Sequence, residues 1–361
     1  MEKFDRRDFL KAAGTAAGSA ILLNSTTLSG NTSSTLKPLS SGTFEPLPSR
    51  ASKDNCKKII VGPQIPVITH LKDDLSLDPD AIRKNVNNLV ERGFVTGKGV
   101  LLAVGAGGDF PMLTVEERKI VGRTIFDAAA GRVPVIFACQ DTNPKVSIEL
   151  AKFADEVGFY AIQMSPPYYY HPSDDDVLRL LRSVNDVLSK TGIMVYNTWW
   201  HGYNIEFPLM DKLVDLERVV CIKWSHASGG LDYAKGVKRY CDRVSMIDNC
   251  KLCVWTHLLG GSGFISHFAS IWPEHELKVW ELCEQGKYEE AEDMYARDNY
   301  PWVAFRGKMG GQTGGESPTV KAGIELTGRY GGPCRPPSRC LNAEERNELK
   351  QILKNIGVPG V

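Results

Sequence analysis

Lys223 sits near the end of the apolar run Val219-Val-Cys-Ile-Lys-Trp, an ammonium among residues suited to burial. Desolvation disfavours the charged form and lowers a lysine pKa from about 10.4. A lysine so treated becomes a neutral amine, a nucleophile able to form a Schiff base with a carbonyl compound. The same residue also fits a lysine that snorkels from a strand end or pairs with a carboxylate, and residue type alone leaves both readings open. Other reactive side chains end or follow similar runs: Asp109, the tyrosines Tyr168–Tyr170, and Tyr196.

The elements that must position these groups follow one pattern. Short apolar segments are expected as strands at Ile65–Leu71, Gly99–Gly105, Pro134–Gln140, Tyr160–Ser165, Gly192–Asn197, Val219–Trp224, Arg243–Asp248 and Gly263–Ser266. Amphipathic stretches between them, such as Asp78–Arg92, Thr114–Ala130, Pro144–Val157 and Ser173–Lys190, are expected as helices. Thr114-Val-Glu-Glu begins as a capping box, and Ser173 with Asp174–Asp176 puts carboxylates at a helix N-terminus. Near-continuous apolar strands alternating with helices predict a parallel sheet covered on both faces. Eight such units predict an α/β fold of the (β/α)8 TIM-barrel type, with reactive groups at the C-terminal strand ends. Further helical patterns near 275–298, 316–328 and 342–355 predict a C-terminal helical extension.

Composition narrows the class. The 361 residues hold 43 Lys+Arg and 43 Asp+Glu, and this even balance argues against a nucleic-acid partner, which needs a basic face. Nine cysteines do not make a disulfide scaffold in a chain of this length. Residues 1–23, MEKFDRRDFLKAAGTAAGSAILL, place Arg6-Arg7 before an apolar run from Ala12 to Leu23. That run is too short to span a bilayer and resembles a twin-arginine export signal. The expected organisation is signal 1–23, flexible stalk 24–57, barrel 58–272 and helical extension 273–361. The expected location is the periplasm, with no stable membrane span after export.

Beyond residue 60 the chain resembles the dihydrodipicolinate synthase and N-acetylneuraminate lyase family of Schiff-base aldolases. The resemblance is carried in order by Gly105-Ala-Gly-Gly-Asp-Phe, Leu113-Thr-Val-Glu-Glu-Arg, Gly131-Arg-Val-Pro-Val-Ile, Ser165-Pro-Pro-Tyr-Tyr-Tyr-His-Pro, Val195-Tyr-Asn, Cys221-Ile-Lys-Trp, Gly263-Phe-Ile-Ser and Gly331-Gly-Pro-Cys-Arg-Pro-Pro. It implies that Lys223 is the Schiff-base lysine and Tyr196 the proton carrier, with Tyr169 reaching a neighbouring subunit's site. It further implies a 2-oxo acid substrate held by Gly105, Ala106, Gly107, Gly108, Asp109, His201 and Ile265. No cofactor or metal, and a homotetramer or dimer, complete the expectation.

Departures from the family pattern bear on the activity. Gly105-Ala-Gly-Gly-Asp lacks the paired hydroxyls that the family carries after the second strand, one of which links two tyrosines into a proton relay. Its backbone amides can still receive a carboxylate. His201 stands where the synthase has an arginine for its aldehyde substrate's carboxylate, which argues against that substrate. Trp199 and Trp200 suggest an apolar or sugar-stacking surface, with core packing the rival for Trp199. Three readings follow: a retro-aldol lyase, a dehydratase of a deoxy sugar acid, and a non-catalytic exported barrel that binds a small acid. Cys250-Lys-Leu-Cys253 lacks partners for a metal site, and Cys139 and Cys221 are expected in the core. Cys334 and Cys340 are candidates for a disulfide after export. His226, close after Lys223, is read either as tuning the lysine or orienting substrate or, with slight preference, as a surface histidine, and His257 and His267 are given no role.

Overall fold

The computed structural model describes residues 47–361. The signal expected over 1–23 and the stalk as far as residue 46 lie outside the described residues. Eight parallel strands close a ring in chain order, each bonded to the next and the last to the first. They are β1 Gly62–Pro66, β2 Val100–Ala103, β3 Val135–Ala138, β4 Ala161–Met164, β5 Gly192–Tyr196, β6 Val219–Trp224, β7 Ser245–Asp248 and β8 Gly263–Ile265. This is the (β/α)8 barrel the alternating pattern predicts.

Period-two alternation separates two cores. Val100, Leu102, Ile136, Met194 and Ile247 fill the barrel interior. Leu101, Ala103, Val135, Phe137 and Ile193 point outward beneath the helices. The helices begin where capping chemistry predicts: Thr114 and Glu117 form a capping box on the helix Val115–Ala129, and Ser173 and Asp176 form one on Asp174–Val187. Cys139 and Cys221 are buried, as expected of core residues.

The β5–β6 pair carries an irregularity that matters for the site. Ile193 pairs with Val219 but Met194 pairs with Cys221, so Val220 is an extra residue. Val220 and Cys221 both join the interior core, while Val219 and Ile222 face the helices. Strict alternation from Val219 would send residue 223 outward, because one step of register exchanges the two faces. The bulge turns Lys223 into the barrel instead, opposite Tyr196.

Several boundaries differ from expectation. β1 runs over Gly62–Pro66, earlier and shorter than Ile65–Leu71, because its pairing with β8 sets Gly62 against Gly263. A Cβ on Gly263 would lie 2.3 Å from the Gly62 carbonyl oxygen, so the two backbones meet where a side chain has no room. Val67 and Ile68 remain buried beyond the strand end, which explains the longer apolar run. The stalk expected to reach residue 57 ends sooner. A helix, α1 Lys53–Ile59, packs with Ala51, Cys56 and Ile60 against the interior core. Burial of Ile60 contributes about 1.5–3 kcal/mol, and Ala51 and Cys56 add to the apolar surface that holds this segment against the barrel.

The boundary at 272/273 also moves. The helix α2 Pro273–Glu284 buries Val279, Trp280, Leu282 and Cys283 against Phe264 of β8, so it completes the barrel's outer layer. The helix expected over 275–298 is two, broken at Gly286, whose φ is +73°. The second, α3 Tyr288–Thr313, continues through Pro301. It is followed by α4 Ser317–Leu326 and α5 Ala343–Asn355, and together these three form the extension. Among the described residues no helix is long and apolar enough to cross a membrane.

Candidate active site

Lys223 and Tyr196 are register partners at the C-terminal ends of β6 and β5. The Lys223 Nζ lies 3.8 Å from the centre of the Tyr196 ring, over its electron-rich face. It donates to Gln163 Oε1 at 3.4 Å, long for a full hydrogen bond. Burial brings the Lys223 pKa down to about 7; the Glu316 carboxylate opposes that shift and the Arg306 guanidinium reinforces it. The amine is therefore substantially neutral near pH 7. Tyr196 is shifted the other way, since burial first and the Glu316 charge second raise its pKa well above 10. Its phenol keeps its proton and is available as a donor.

Both side chains face a cavity of about 220 Å³, also lined by Ala106, Gly107, Ile265 and Trp200. Trp200 sets its ring edge-on to Tyr196 at 5.9 Å. Ala106 and Gly107 open a 3-10 turn after β2, with Gly105 preceding them and Gly108 buried behind. Position 107 admits only glycine, because a Cβ there would come within 2.9 Å of Pro66 and 3.0 Å of the His267 ring. The His267 imidazole packs directly against this turn.

His267 belongs to a cluster that the sequence reading missed. Its Nε2 lies 2.9 Å from Glu316 Oε2, and Arg306 Nη2 lies 3.1 Å from the same oxygen. Burial and the nearby Arg306 lower the His267 pKa to about 4, so the ring is neutral and its Nε2–H donates to Glu316. The short Arg306–His267 approach then sets two donors side by side, both directed at one carboxylate. Burial alone would raise the Glu316 pKa; Arg306, His267 and Lys223 overcome that and hold the acid ionised. Asn249 and Lys251, after β7, complete the wall. His267 and Lys251 had one legible signal, their place just beyond a barrel strand. Arg306 and Glu316 come from α3 and the start of α4, and no local pattern marks them.

Other expected residues lie elsewhere. Asp109 turns from the cavity toward Lys321, whose Nζ is 3.8 Å away. His201 ends a 3-10 turn and stacks at a tilt on Trp200, outside the cavity lining. Tyr169 is 84% exposed with φ +83° and is not among the residues lining the cavity. His226 is not at the surface: it is buried and stacked on Phe207 at 5.5 Å. Cys334 and Cys340 are free thiols, and among the described residues no cluster of His, Cys, Asp or Glu has the makings of a metal site.

Fold and site together define a TIM barrel with a desolvated lysine at the end of its sixth strand. The chain belongs to the dihydrodipicolinate synthetase family, whose model matches residues 60–356. It is 32% identical over 303 residues to a 4-hydroxy-tetrahydrodipicolinate synthase of Clostridium perfringens, covering 83% of this chain and 98% of that one. Two solved structures share the fold. YagE, a prophage protein of the dihydrodipicolinic acid synthase family from E. coli K12 in complex with pyruvate, gives a TM-score of 0.73 at 24% identity, covering 82% of this chain and 99% of that one. A catalytic lysine mutant of Ruminococcus gnavus sialic acid aldolase gives 0.72 at 21%, covering 84% and 98%.

Proposed function

We propose that this chain is a Schiff-base lyase that reversibly cleaves the C3–C4 bond of a 2-oxo acid, of the pyruvate-releasing or 2-oxo-3-deoxy sugar-acid type. The observation that carries the reading is Lys223, a buried lysine with a pKa near 7 held over the ring of a protonated tyrosine at the wall of the cavity. The substrate carboxylate meets the Ala106–Gly107 turn, and the neutral Lys223 amine attacks C2. Tyr196 gives its proton to the carbinolamine hydroxyl, which leaves as water and creates an iminium beside a phenolate. The phenolate takes the C4 hydroxyl proton. The C3–C4 electrons flow to the iminium nitrogen, releasing an aldehyde and leaving an enamine. Protonation at C3 and hydrolysis of the imine free pyruvate and restore the lysine.

The dehydratase reading keeps the same imine and rests on the altered turn at Gly105–Gly108. The non-catalytic reading has the missing hydroxyls in its favour and the retained Lys223–Tyr196 pair against it. Borohydride reduction with pyruvate and with 2-oxo sugar acids, read by intact mass, decides among them. The expected result is an adduct at Lys223; no adduct with any of them overturns both enzymatic readings. Pyruvate among the products marks cleavage rather than dehydration.

We infer further that the protein is exported to the periplasm by the twin-arginine route and assembles as a homotetramer or dimer. Replacing Arg6-Arg7 by Lys-Lys is expected to retain it in the cytoplasm, and unchanged export defeats that inference. The exposed Tyr169–Tyr170 pair supports assembly. Sedimentation of a Tyr169→Ala variant as the wild-type oligomer would remove that support.

A further inference from the structure

Asp109 closes the glycine turn without lining the cavity, so its contribution lies elsewhere than on the ligand. It stands in the left-handed region at φ +60°, a conformation that aspartate tolerates better than most side chains and that still costs free energy. The N–H of Gly108 donates to the Gly105 carbonyl at 2.9 Å and that of Asp109 to the Ala106 carbonyl at 3.1 Å, which folds the chain tightly back on itself. Thr69 Oγ1 donates to the Gly108 carbonyl at 2.6 Å and fixes the underside. A turn of three glycines and an alanine has almost no side chain of its own to hold this shape, and glycine has the most conformational freedom to lose.

The restraint comes from α4. Lys321, on that helix, is buried, and Asp109 is its only ion-pair partner among the described residues, with Nζ 3.8 Å from Oδ2. The same ammonium donates to the Pro333 carbonyl at 2.7 Å, which anchors it to the segment that follows the helix. A buried ammonium that loses its carboxylate is left uncompensated at high cost, so the pair holds Asp109 in place and with it the end of the turn. The other face of the turn is backed by His267, whose ring would lie 3.0 Å from a Cβ at Gly107. His267 in turn donates to Glu316, the residue immediately before α4. One helix therefore braces the turn twice, directly through Lys321 and by way of His267 from Glu316.

Backbone N–H groups bind a carboxylate only when they converge on it, so the shape of the turn is itself the binding determinant. We propose that Lys321 is a positioning residue for the substrate carboxylate: by holding Asp109 it keeps the Gly105–Gly108 turn in the conformation that receives that group. This rests on the Schiff-base reading and gives the helical extension a part in substrate binding through a residue that touches no substrate atom.

The test compares pyruvate with hydroxyacetone, which carries a neutral hydroxymethyl group where pyruvate has its carboxylate. Full-length protein is titrated with each at pH 8, adducts are trapped with borohydride, and intact mass gives the half-saturating concentration. The wild type is expected to half-saturate with pyruvate at a concentration at least tenfold lower than with hydroxyacetone. In Lys321→Met and in Asp109→Asn the pyruvate value is expected to rise at least fivefold while the hydroxyacetone value stays within twofold. The double variant is expected to match the weaker single one, because both changes break the same brace. A direct effect of charge would have opposite signs, weakening pyruvate in Lys321→Met and tightening it in Asp109→Asn. That pattern overturns the proposal, as does an unchanged preference in both variants, an equal loss for both compounds, or a wild type without preference. Asp109→Asn, which keeps the size of the side chain and tolerates a positive φ, decides the matter even if Lys321→Met does not fold. No adduct in the wild type with either compound defeats the Schiff-base reading itself, whereas wild-type trapping with an unaltered preference in the variants defeats only the role of Lys321.

Discussion

Tyr196 and Lys223 face each other across the β5–β6 pair because one extra residue, Val220, shifts the register between them. Without that bulge, alternation would bury Lys223 among the outer helices and empty the site of its nucleophile. The chemistry of the barrel thus depends on a local irregularity in its sheet, and the tests below probe the surroundings that the bulge creates.

The first concerns pH. With Lys223 lowered to about 7, chiefly by burial, the free amine is the minor form below that pH and the major form above it. The rate of imine trapping with pyruvate is expected to rise about tenfold per pH unit below 7 and level off above 8. A limb centred near 10, the ordinary lysine value, would show that the side chain is solvated.

Glu316 is the charge that raises the Lys223 pKa, against burial and Arg306. Glu316→Gln removes it, so the trapping limb should move to lower pH. The amide oxygen still accepts from His267. An unmoved limb, or one displaced upward, would contradict the assigned electrostatics.

Gly107→Ala tests the packing of the glycine turn. The added methyl would come within 3.0 Å of His267 and 2.9 Å of Pro66. Proline cannot swing aside, so the imidazole must, and its bond to Glu316 is lost. Trapping efficiency is expected to fall at least tenfold with a drop in Tm of a few degrees. Wild-type trapping would mean that His267 has room to retreat without consequence.

Asp155 tests a fold feature remote from the site. Its carboxylate accepts from the Ser189 hydroxyl at 2.6 Å and from the amides of Ser189, Lys190 and Thr191. Burial opposes ionisation, yet these donors lower the pKa to about 2. A pKa depressed in the folded state contributes stability above the unfolded value, near 3.8, that is lost as pH falls through about 2. Asp155→Asn should lower Tm at pH 7 by about 2–6 °C and flatten its fall between pH 4 and 2. Parallel Tm curves for the two proteins would argue against this linkage.

Much of the fold is legible in the sequence. Apolar runs of strand length alternating with amphipathic helices record which faces must be buried, and burial dictates a closed parallel barrel. Capping pairs such as Thr114 with Glu117 are local, so their signals lie within a few residues. Boundaries were less legible where tertiary contact overrides local pattern. Val67 and Ile68 are apolar because they are buried past the end of β1, and Lys53–Ile59 is ordered by the barrel beneath it.

The site divides along the same line. Lys223 and Tyr196 were visible from sequence because each ends an apolar run, and a charged or phenolic group there is anomalous on its own. Their mutual orientation was not visible, since it depends on how Val220 is accommodated against a neighbouring strand. Glu316 and Arg306 were invisible, because they come from helices far along the chain and reach the barrel mouth only when the extension folds over it. Sequence by itself determined a barrel with an amine at a strand end. Tertiary structure alone decided that the amine is desolvated over a phenol, flanked by one carboxylate and two cations, because burial and charge proximity are properties of packed surfaces rather than of neighbouring residues in a chain.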